Sequence, residues 1–231
     1  MEGFQMADDP VAILFDIDGT LISSGGAGTR AWALAFDEVY GIKVDISRFS
    51  DLGMTDPEVG SMSFEAVLGR KPDSEELAHL LDRHVNYLSQ TVIDSAHYRV
   101  MDGAEELLTD LIERGYMLGL VSGNSKKGAH IKLNRANLNR FFSFGGYGSD
   151  SADRTELTRA AIVRAETAFG GPIALEQYLA VGDTSRDVTA AHAVGIKCVG
   201  VATSKFSTDD LLKAGADFVI GSLREGLPMC V

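Results

Sequence analysis

The stretch that decides the fold is residues 11–20, which read VAILFDIDGT. Five apolar residues, the composition of a buried strand, run directly into Asp16 and Asp18. Two carboxylates at the end of a buried strand repel each other, so their presence indicates a functional role rather than a stabilising one. Because residues two apart in an extended segment project to the same side, we expect both carboxylates to reach one substrate.

Further apolar runs alternate with helical patterns along the rest of the chain. Runs typical of buried strands lie at 117–122, 178–182 and 197–202, with weaker candidates at 141–146 and 217–221. Apolar residues recur at three- and four-residue spacing near 104–112 and 157–168, which indicates amphipathic helices. Since short apolar strands alternate with helices, the sequence predicts an α/β fold, a Rossmann-like parallel sheet with helices on both faces.

One long segment, residues 23–98, interrupts this alternation. It contains three helical patterns and no convincing strand, and it begins with the glycine-rich stretch SSGGAG at 23–28. We therefore predict an inserted all-helical cap domain at 23–98, with the α/β core formed by 10–22 and 99–231. Glycines at the entry favour a hinge because they allow unusual backbone angles. The polar residues 1–9 are predicted to be a flexible N-terminus.

The composition excludes several classes of function. The formal net charge is -12 and no cluster of basic residues compensates it, which argues against binding to nucleic acid or to an anionic membrane. No apolar run reaches the roughly 20 residues of a membrane span, and the acidic start does not resemble a signal peptide. Cys198 is predicted to be a core residue and Cys230 lies at the tail, so a disulfide framework is not expected. We therefore expect a cytoplasmic location, where thiols stay reduced.

Polar residues follow three of the predicted strands and precede one helix. The first strand ends in DIDGT at 16–20, the second in SGN at 122–124, and a later one in GDTSRD at 182–187, while Arg154 stands before a helix. In a parallel sheet these strand ends meet at one edge, where ligands bind. Several carboxylates in one place need a cation, and aspartates with open positions for water and phosphate are typical of Mg²⁺ sites.

These elements, in this order, resemble the haloacid dehalogenase superfamily of phosphotransferases over residues 11–205, and the helical insertion resembles the cap of its phosphoglycolate phosphatase and β-phosphoglucomutase-like branch. The resemblance implies a Mg²⁺-dependent phosphatase that hydrolyses a small phosphorylated metabolite through an aspartyl-phosphate. A sugar-phosphate mutase is the alternative, since it retains both aspartates. A non-catalytic receiver-like module is a remote one, because such a module would not contain the helical insertion.

The resemblance also implies a role for each matching residue. Asp16 would be the nucleophile, Asp18 the general acid and then the general base, and Thr20 would orient the region around Asp16. The phosphoryl group would be bound by Gly19, Ser122, Gly123 and Asn124, and Mg²⁺ by Asp16, the Asp18 carbonyl, Asp183 and Asp187.

In one position the chain departs from the family pattern, which has a lysine as its third element. Arg154 is the candidate here, and Lys126 or Lys127 is the rival. Within the cap, the segment GMTD at 53–56 offers Thr55 as a substrate-binding residue, although these residues also suit the start of a helix. Arg30, Lys43 and Arg48 are further candidates for contacts with substrate.

Two other predictions concern the histidines and the assembly. His79 and His84 are five residues apart and so do not share a helix face, which favours surface or hydrogen-bonded residues over a metal site. The sequence is compatible with a monomer or a homodimer.

Overall fold

The computed structural model describes residues 11–228. Its centre is a six-stranded parallel sheet with the strand order β5-β4-β1-β6-β7-β8. The strands are β1 (Ala12–Phe15), β4 (Met117–Ser122), β5 (Phe144–Tyr147), β6 (Tyr178–Gly182), β7 (Lys197–Val201) and β8 (Phe218–Ile220). Each coincides with one of the apolar runs in the sequence, so the predicted α/β fold is confirmed.

Strand β1 lies in the middle of the sheet, between β4 and β6. Phe15 is in register with Leu120 of β4 and Val181 of β6, and all residues of β1 are buried. Because the three strands run in the same direction, the segments that follow them leave from one edge. This register brings Asp16 next to the loops that begin at Ser122 and Asp183.

Helices cover both faces of the sheet. One face packs against α4 (Ala104–Glu113) and α5 (Lys126–Asn134), and the other against α6 (Arg154–Phe169), α7 (Ser185–Ala193) and α8 (Thr208–Lys213). The alternating residues of β1 serve the two layers, since Ile13 and Phe15 belong to one apolar cluster and Leu14 to the other. Cys198 is fully buried in the second cluster, as predicted.

Three helices lie between the paired strands β2 (Ile22–Ser23) and β3 (Arg99–Val100). They are α1 (Ala27–Tyr40), α2 (Asp56–Leu68) and α3 (Ser74–Ile93), and they share a separate apolar cluster that includes Trp32, Phe36, Phe64 and Leu80. This separate core supports our proposal that 23–98 is an inserted cap. The predicted flexible segment 1–9 and Cys230 lie outside the described residues.

The glycines at the cap entry are required by the backbone. Gly25 and Gly26 have φ angles of 59° and 79°, which disfavour other residues. A Cβ atom at Gly25 would also lie 2.5 Å from the carbonyl carbon of His97, in the turn that precedes β3. The local geometry therefore explains these glycines, and the hinge stays a prediction. Across residues 11–228, no helix is long and apolar enough to cross a membrane.

Candidate active site

Three buried aspartates meet at the carboxyl edge of the sheet. Asp16 follows β1, Asp183 follows β6, and Asp187 lies in the first turn of α7. One carboxylate oxygen from each lies within 4.8 Å of the other two. The hydroxyl of Thr20 donates a hydrogen bond to Asp183 Oδ1 at 3.0 Å. Thr20 therefore holds Asp183, whereas the sequence assigned it to the region around Asp16.

Arg154 joins two of these carboxylates. It is the first residue of α6 and is buried, and its Nη2 lies 2.6 Å from Asp16 Oδ1 and 2.5 Å from Asp187 Oδ1. Lys126 and Lys127, the rival candidates, are exposed on α5. The structure therefore brings Arg154, rather than either lysine, to Asp16.

The cluster contains more carboxylates than one arginine can balance. Burial raises the pKa of Asp16 well above its usual value, against the opposing effect of Arg154, and burial raises the pKa of Asp183 to about 7, with the neighbouring charge of Asp187 adding to it. Asp183 Oδ2 is buried and has no hydrogen-bond partner among the described residues. An unpartnered carboxylate oxygen facing two other acids is the arrangement expected at a divalent metal site.

The glycine of the first motif is explained by the same carboxylate. Gly19 has a φ angle of 93°, and a Cβ atom there would lie 2.3 Å from Asp183 Oδ2. A side chain would therefore push Asp183 out of the cluster. Gly19 supports the site through the close approach of its backbone.

Asp18 occupies a different environment from Asp16. Its side chain is 35% exposed, and its Oδ2 accepts hydrogen bonds from Asn124 Nδ2 at 2.7 Å and from Lys132 Nζ at 2.6 Å. Partial burial raises the pKa of Asp18, but the charge of Lys132 and the hydrogen bonds outweigh it and lower the pKa below the usual value. The side chain of Asp18 is not part of the three-carboxylate cluster. The two aspartates of the first motif are therefore suited to different tasks.

The loop after β4 contributes Ser122, Gly123 and Asn124. Ser122 is buried, and its hydroxyl accepts a hydrogen bond from Asn124 Nδ2 at 2.8 Å. The side chain of Asn124 thus links Ser122 to Asp18. The family resemblance implied that Asn124 binds the phosphoryl group and did not predict this contact. A Cβ atom at Gly123 would lie 2.3 Å from the carbonyl oxygen of Met54, so the cap packs directly on this loop.

The cap segment 53–56 makes four hydrogen bonds with the core, one of them from the Thr55 hydroxyl to the Ala152 carbonyl at 3.2 Å. Asp56 donates its backbone N–H to the Gly123 carbonyl at 2.7 Å and accepts from the Ser125 N–H at 2.7 Å. Arg154 Nη1 donates to the Gly53 carbonyl at 3.2 Å. These bonds fix the cap loop against the catalytic edge of the sheet.

Thr55 has a structural place in this loop. Its side chain is fully buried, caps the N-terminus of α2 by accepting from the Glu58 N–H, and completes a reciprocal capping box with Glu58. The helix-start interpretation of 53–56 therefore describes this residue, and its hydroxyl is used both in the helix cap and in the bond to the Ala152 carbonyl of the core. Thr55 is absent from the residues that line the cavity described next.

A cavity of about 190 Å³ lies between the strand ends and the cap. The core lines it with Asp16, Asp18, Ser122, Lys132 and Arg154, and the cap with residues that include Trp32 and His84. Among the described residues 11–228, the lysine and arginine side chains that line the cavity are those of Lys132 and Arg154. The candidates Arg30, Lys43 and Arg48 do not line it.

Lys132 and His84 are the site residues that sequence reasoning missed. Lys132 shares the buried face of α5 with Ala129 and Leu133, and His84 shares the buried face of α3 with Leu80 and Leu88. The sequence could have indicated both, because each is a polar residue that recurs at helical spacing with the apolar residues of its helix.

The expectation that His84 is exposed or fully hydrogen-bonded was wrong. Its side chain is buried and stacks on Trp32, with ring centroids 4.0 Å apart, and its Nδ1 has no partner among the described residues. Burial, together with the charge of Lys132, lowers the pKa of His84 to about 3, so the imidazole is neutral at pH 7.

The sheet and its edge define a class of α/β enzymes that bind ligands at the central strand ends. The model of the haloacid dehalogenase-like hydrolases matches residues 11–195, and the chain belongs to this family. This confirms the predicted family and the prediction that the protein is an enzyme, a hydrolase.

Relatives with described activities cover nearly the whole chain. A phosphoglycolate phosphatase of Pseudomonas syringae pv. tomato is 26% identical over 96% of this chain and 80% of its own length. A 5'-nucleotidase of Pseudomonas aeruginosa is 28% identical over 87% of this chain and 86% of its own.

Solved structures share the fold at lower sequence identity. One is described as a predicted phosphoglycolate phosphatase from Haemophilus somnus, with a TM-score of 0.74, 18% identity, and coverage of 96% of this chain and 97% of that one. Another is described as a β-phosphoglucomutase from Bacteroides vulgatus, with a TM-score of 0.68, 20% identity, and coverage of 94% and 85%.

Proposed function

We propose that this protein is a Mg²⁺-dependent phosphatase that hydrolyses a small phosphate monoester through an aspartyl-phosphate on Asp16. The observation that carries the proposal is that the two aspartates of the first motif lie in different surroundings. Asp16 lies buried among Arg154, Asp183 and Asp187, while Asp18 faces Asn124 and Lys132. One carboxylate lies beside two further carboxylates and a guanidinium, and its neighbour lies beside neutral and cationic donors.

The reaction would proceed in two steps. In the first, a carboxylate oxygen of Asp16 attacks phosphorus, the bond to the leaving oxygen breaks, and Asp18 donates a proton to that oxygen. Because its lowered pKa leaves Asp18 ionised in the free protein, Asp18 would take up this proton when the substrate binds. In the second, Asp18 accepts a proton from water as the water attacks phosphorus, and the carboxylate of Asp16 is released. The first step leaves Asp18 deprotonated and the second restores its proton, so only the two steps together return both residues to their starting states.

The groups around the phosphoryl position would stabilise its charge. Arg154 and the backbone N–H groups after Ser122 donate to phosphoryl oxygens, which are the atoms where charge is distributed in phosphoryl transfer. Mg²⁺, bound by Asp16, Asp183 and Asp187 and by the carbonyl of Asp18, would neutralise charge on the nucleophile and the phosphoryl group. Thr20 and Gly19 keep Asp183 in place for that role.

The size of the cavity favours a small substrate. Its volume of about 190 Å³ is below the range of roughly 300 to 1,000 Å³ that is usual for ligand pockets. A phosphoglycolate-like ester suits this volume better than a nucleotide or a hexose phosphate.

A sugar-phosphate mutase remains the alternative, but its bisphosphate intermediate needs a second phosphate site. Apart from Arg154, which is bonded to Asp16 and Asp187, only Lys132 adds a cation among the cavity-lining residues within 11–228. We also keep the cytoplasmic location and a monomeric or homodimeric state as proposals.

The test is phosphate release from a panel of esters with Mg²⁺ present. Phosphoglycolate, β-glucose 1-phosphate and a nucleoside monophosphate are compared at equal concentration, with Asp16→Asn as the inactive control. We expect phosphoglycolate or an ester of similar size to be hydrolysed fastest. Conversion of β-glucose 1-phosphate to its isomer with little phosphate release would establish the mutase, and no turnover of any ester would refute the proposed function.

A further inference from the structure

A buried ammonium group contacts Asp18 from a helix, not from one of the strand ends that form the site. The side chain of Lys132 on α5 is 8% exposed, and its Nζ lies 2.6 Å from Asp18 Oδ2. The backbone carbonyl of Lys132 accepts a hydrogen bond from the hydroxyl of Tyr98 at 2.7 Å, which anchors this turn of the helix. A Cβ atom at Gly28 would lie 3.8 Å from Nζ, so the first turn of α1 covers the ammonium group.

Lys132 and Asn124 approach the same oxygen of the carboxylate. Both donate to Oδ2: Asn124 from the loop after β4, and Lys132 from the buried face of α5, the helix that follows this loop. Two donors on one oxygen restrict rotation of the carboxylate and leave Oδ1 clear of both. The side chain of Ser24, which also lines the cavity, is a further hydrogen-bond partner of this carboxylate. The three donors together fix the orientation of the carboxylate at the cavity.

The burial of the Lys132 ammonium group needs an explanation, because most lysine side chains are exposed to solvent. A buried ammonium loses its hydration, and one hydrogen-bonded carboxylate does not use its three donors. The other lysines of α5, Lys126 and Lys127, are exposed to solvent. Lys132 instead lies on the buried face of the helix with Ala129 and Leu133, where an apolar side chain would be expected.

We propose that Lys132 is a positioning residue for Asp18, which holds the carboxylate with Oδ2 inward and Oδ1 toward the leaving oxygen and the attacking water. The inference rests on the proposed function, because it assigns Lys132 a part in the acid–base step of that reaction. The ion pair of Lys132 is with Asp18, whereas the nucleophile Asp16 pairs with Arg154, so Lys132 acts through Asp18.

The proposal predicts that the effect of removing Lys132 depends on the leaving group. An alkyl alcohol leaves only with a proton, whereas p-nitrophenolate leaves without one. Lys132→Met should slow phosphoenzyme formation from an alkyl ester such as phosphoglycolate about 10- to 100-fold, less than the full loss of an acid–base group. Formation from p-nitrophenyl phosphate should change less than about three-fold. A purely structural role would slow formation from both substrates alike.

The experiment is a double-mutant cycle with single-turnover kinetics on the full chain. Formation and breakdown of the phosphoenzyme are measured for wild type, Lys132→Met, Asp18→Asn and the double variant, with Lys132→Arg as the conservative variant and Lys127→Met as the exposed control. We expect the substitution at Lys132 to have no further effect once Asp18 is Asn, and Lys132→Arg to recover part of the rate.

Three results would overturn the inference, and the first two leave the proposed function standing. If wild type forms a phosphoenzyme and the effects of the two substitutions multiply, Lys132 does not act through Asp18, and the proposed function stands. Equal slowing of phosphoglycolate and p-nitrophenyl phosphate has the same meaning. If wild type forms no phosphoenzyme and releases no phosphate, the proposed function fails and the inference fails with it.

Discussion

Replacing Asp183 by asparagine should change how stability depends on pH in the metal-free protein. The pKa of Asp183 is raised to about 7 in the folded state by burial and by Asp187, against about 3.9 for an aspartate in an unfolded chain. A raised carboxyl pKa contributes stability that is present below the unfolded value and is lost as the pH rises through the folded value. Three pKa units correspond to about 4 kcal/mol in total, of which about 2.5 kcal/mol is lost between pH 5 and pH 8.

The comparison with a variant is necessary because His84 acts in the opposite direction. Its pKa is lowered to about 3 by burial and by the charge of Lys132, so its contribution grows as the pH rises through the unfolded value near 6.5. In the wild type the two contributions largely cancel between pH 5 and pH 8. Asp183→Asn removes one of them and leaves the other unchanged.

The assay is urea unfolding of both proteins in EDTA at pH 5, 6, 7 and 8. The variant should gain about 2.5 kcal/mol on the wild type from pH 5 to pH 8. Mg²⁺ at 100 times its dissociation constant should then stabilise the wild type at pH 8 by about 2.7 kcal/mol, and the variant much less. Asp37→Asn, on the exposed surface of α1, is the control and should follow the wild type. A difference that stays flat across this pH range, or equal stabilisation of both by Mg²⁺, would refute the reasoning.

Further predictions concern the arginine and the glycine of the site. Arg154→Ala should lower kcat by a factor of about 10² or more, Arg154→Lys should recover part of the loss, and Lys126→Ala should leave kcat nearly unchanged. Steady-state rates on one substrate measure these effects. A large loss of kcat in Lys126→Ala together with an active Arg154→Ala would reverse the assignment. Gly19→Ala should abolish Mg²⁺-dependent activity because its Cβ displaces Asp183. Gly41→Ala, at the end of α1, has no atom within 4 Å of its Cβ and does not line the cavity, so it should cost only the backbone strain of about 1 to 2 kcal/mol. Activity and urea unfolding of both glycine variants separate the two effects, and a fully active Gly19→Ala would contradict the close approach.

The sheet and the catalytic strand ends were predictable because local patterns specify them. The strands of the core are short apolar runs, and each polar motif follows a strand in the sequence, so the parallel sheet brings Asp16, Ser122 and Asp183 together without knowledge of long-range packing. Arg154 could be placed for the same reason, since it begins the helix after β5.

The contributions of Lys132 and His84 depend on packing between helices, which sequence periodicity does not specify. Each is a polar residue on an otherwise buried helix face, and which partner it meets is set by how α3 and α5 approach the strand ends. Thr55 illustrates the reverse case: a hydroxyl near the site is used to cap α2, because the helix N-terminus is closer to it than the cavity. The bond from Asn124 to Asp18 likewise joins residues 106 positions apart.

The central claim is that Asp16 becomes phosphorylated, and acid-quenched mass spectrometry tests it most directly. Wild type and Asp16→Asn are mixed with the preferred ester and Mg²⁺, quenched within one turnover, digested and analysed for the peptide that contains residue 16. We predict that the wild-type peptide gains the mass of one phosphoryl group on Asp16, that hydroxylamine removes it, and that Asp16→Asn shows no such species. Phosphate release by the wild type with an unmodified Asp16 at every quench time, or a phosphorylated residue elsewhere that persists in Asp16→Asn, would contradict the account.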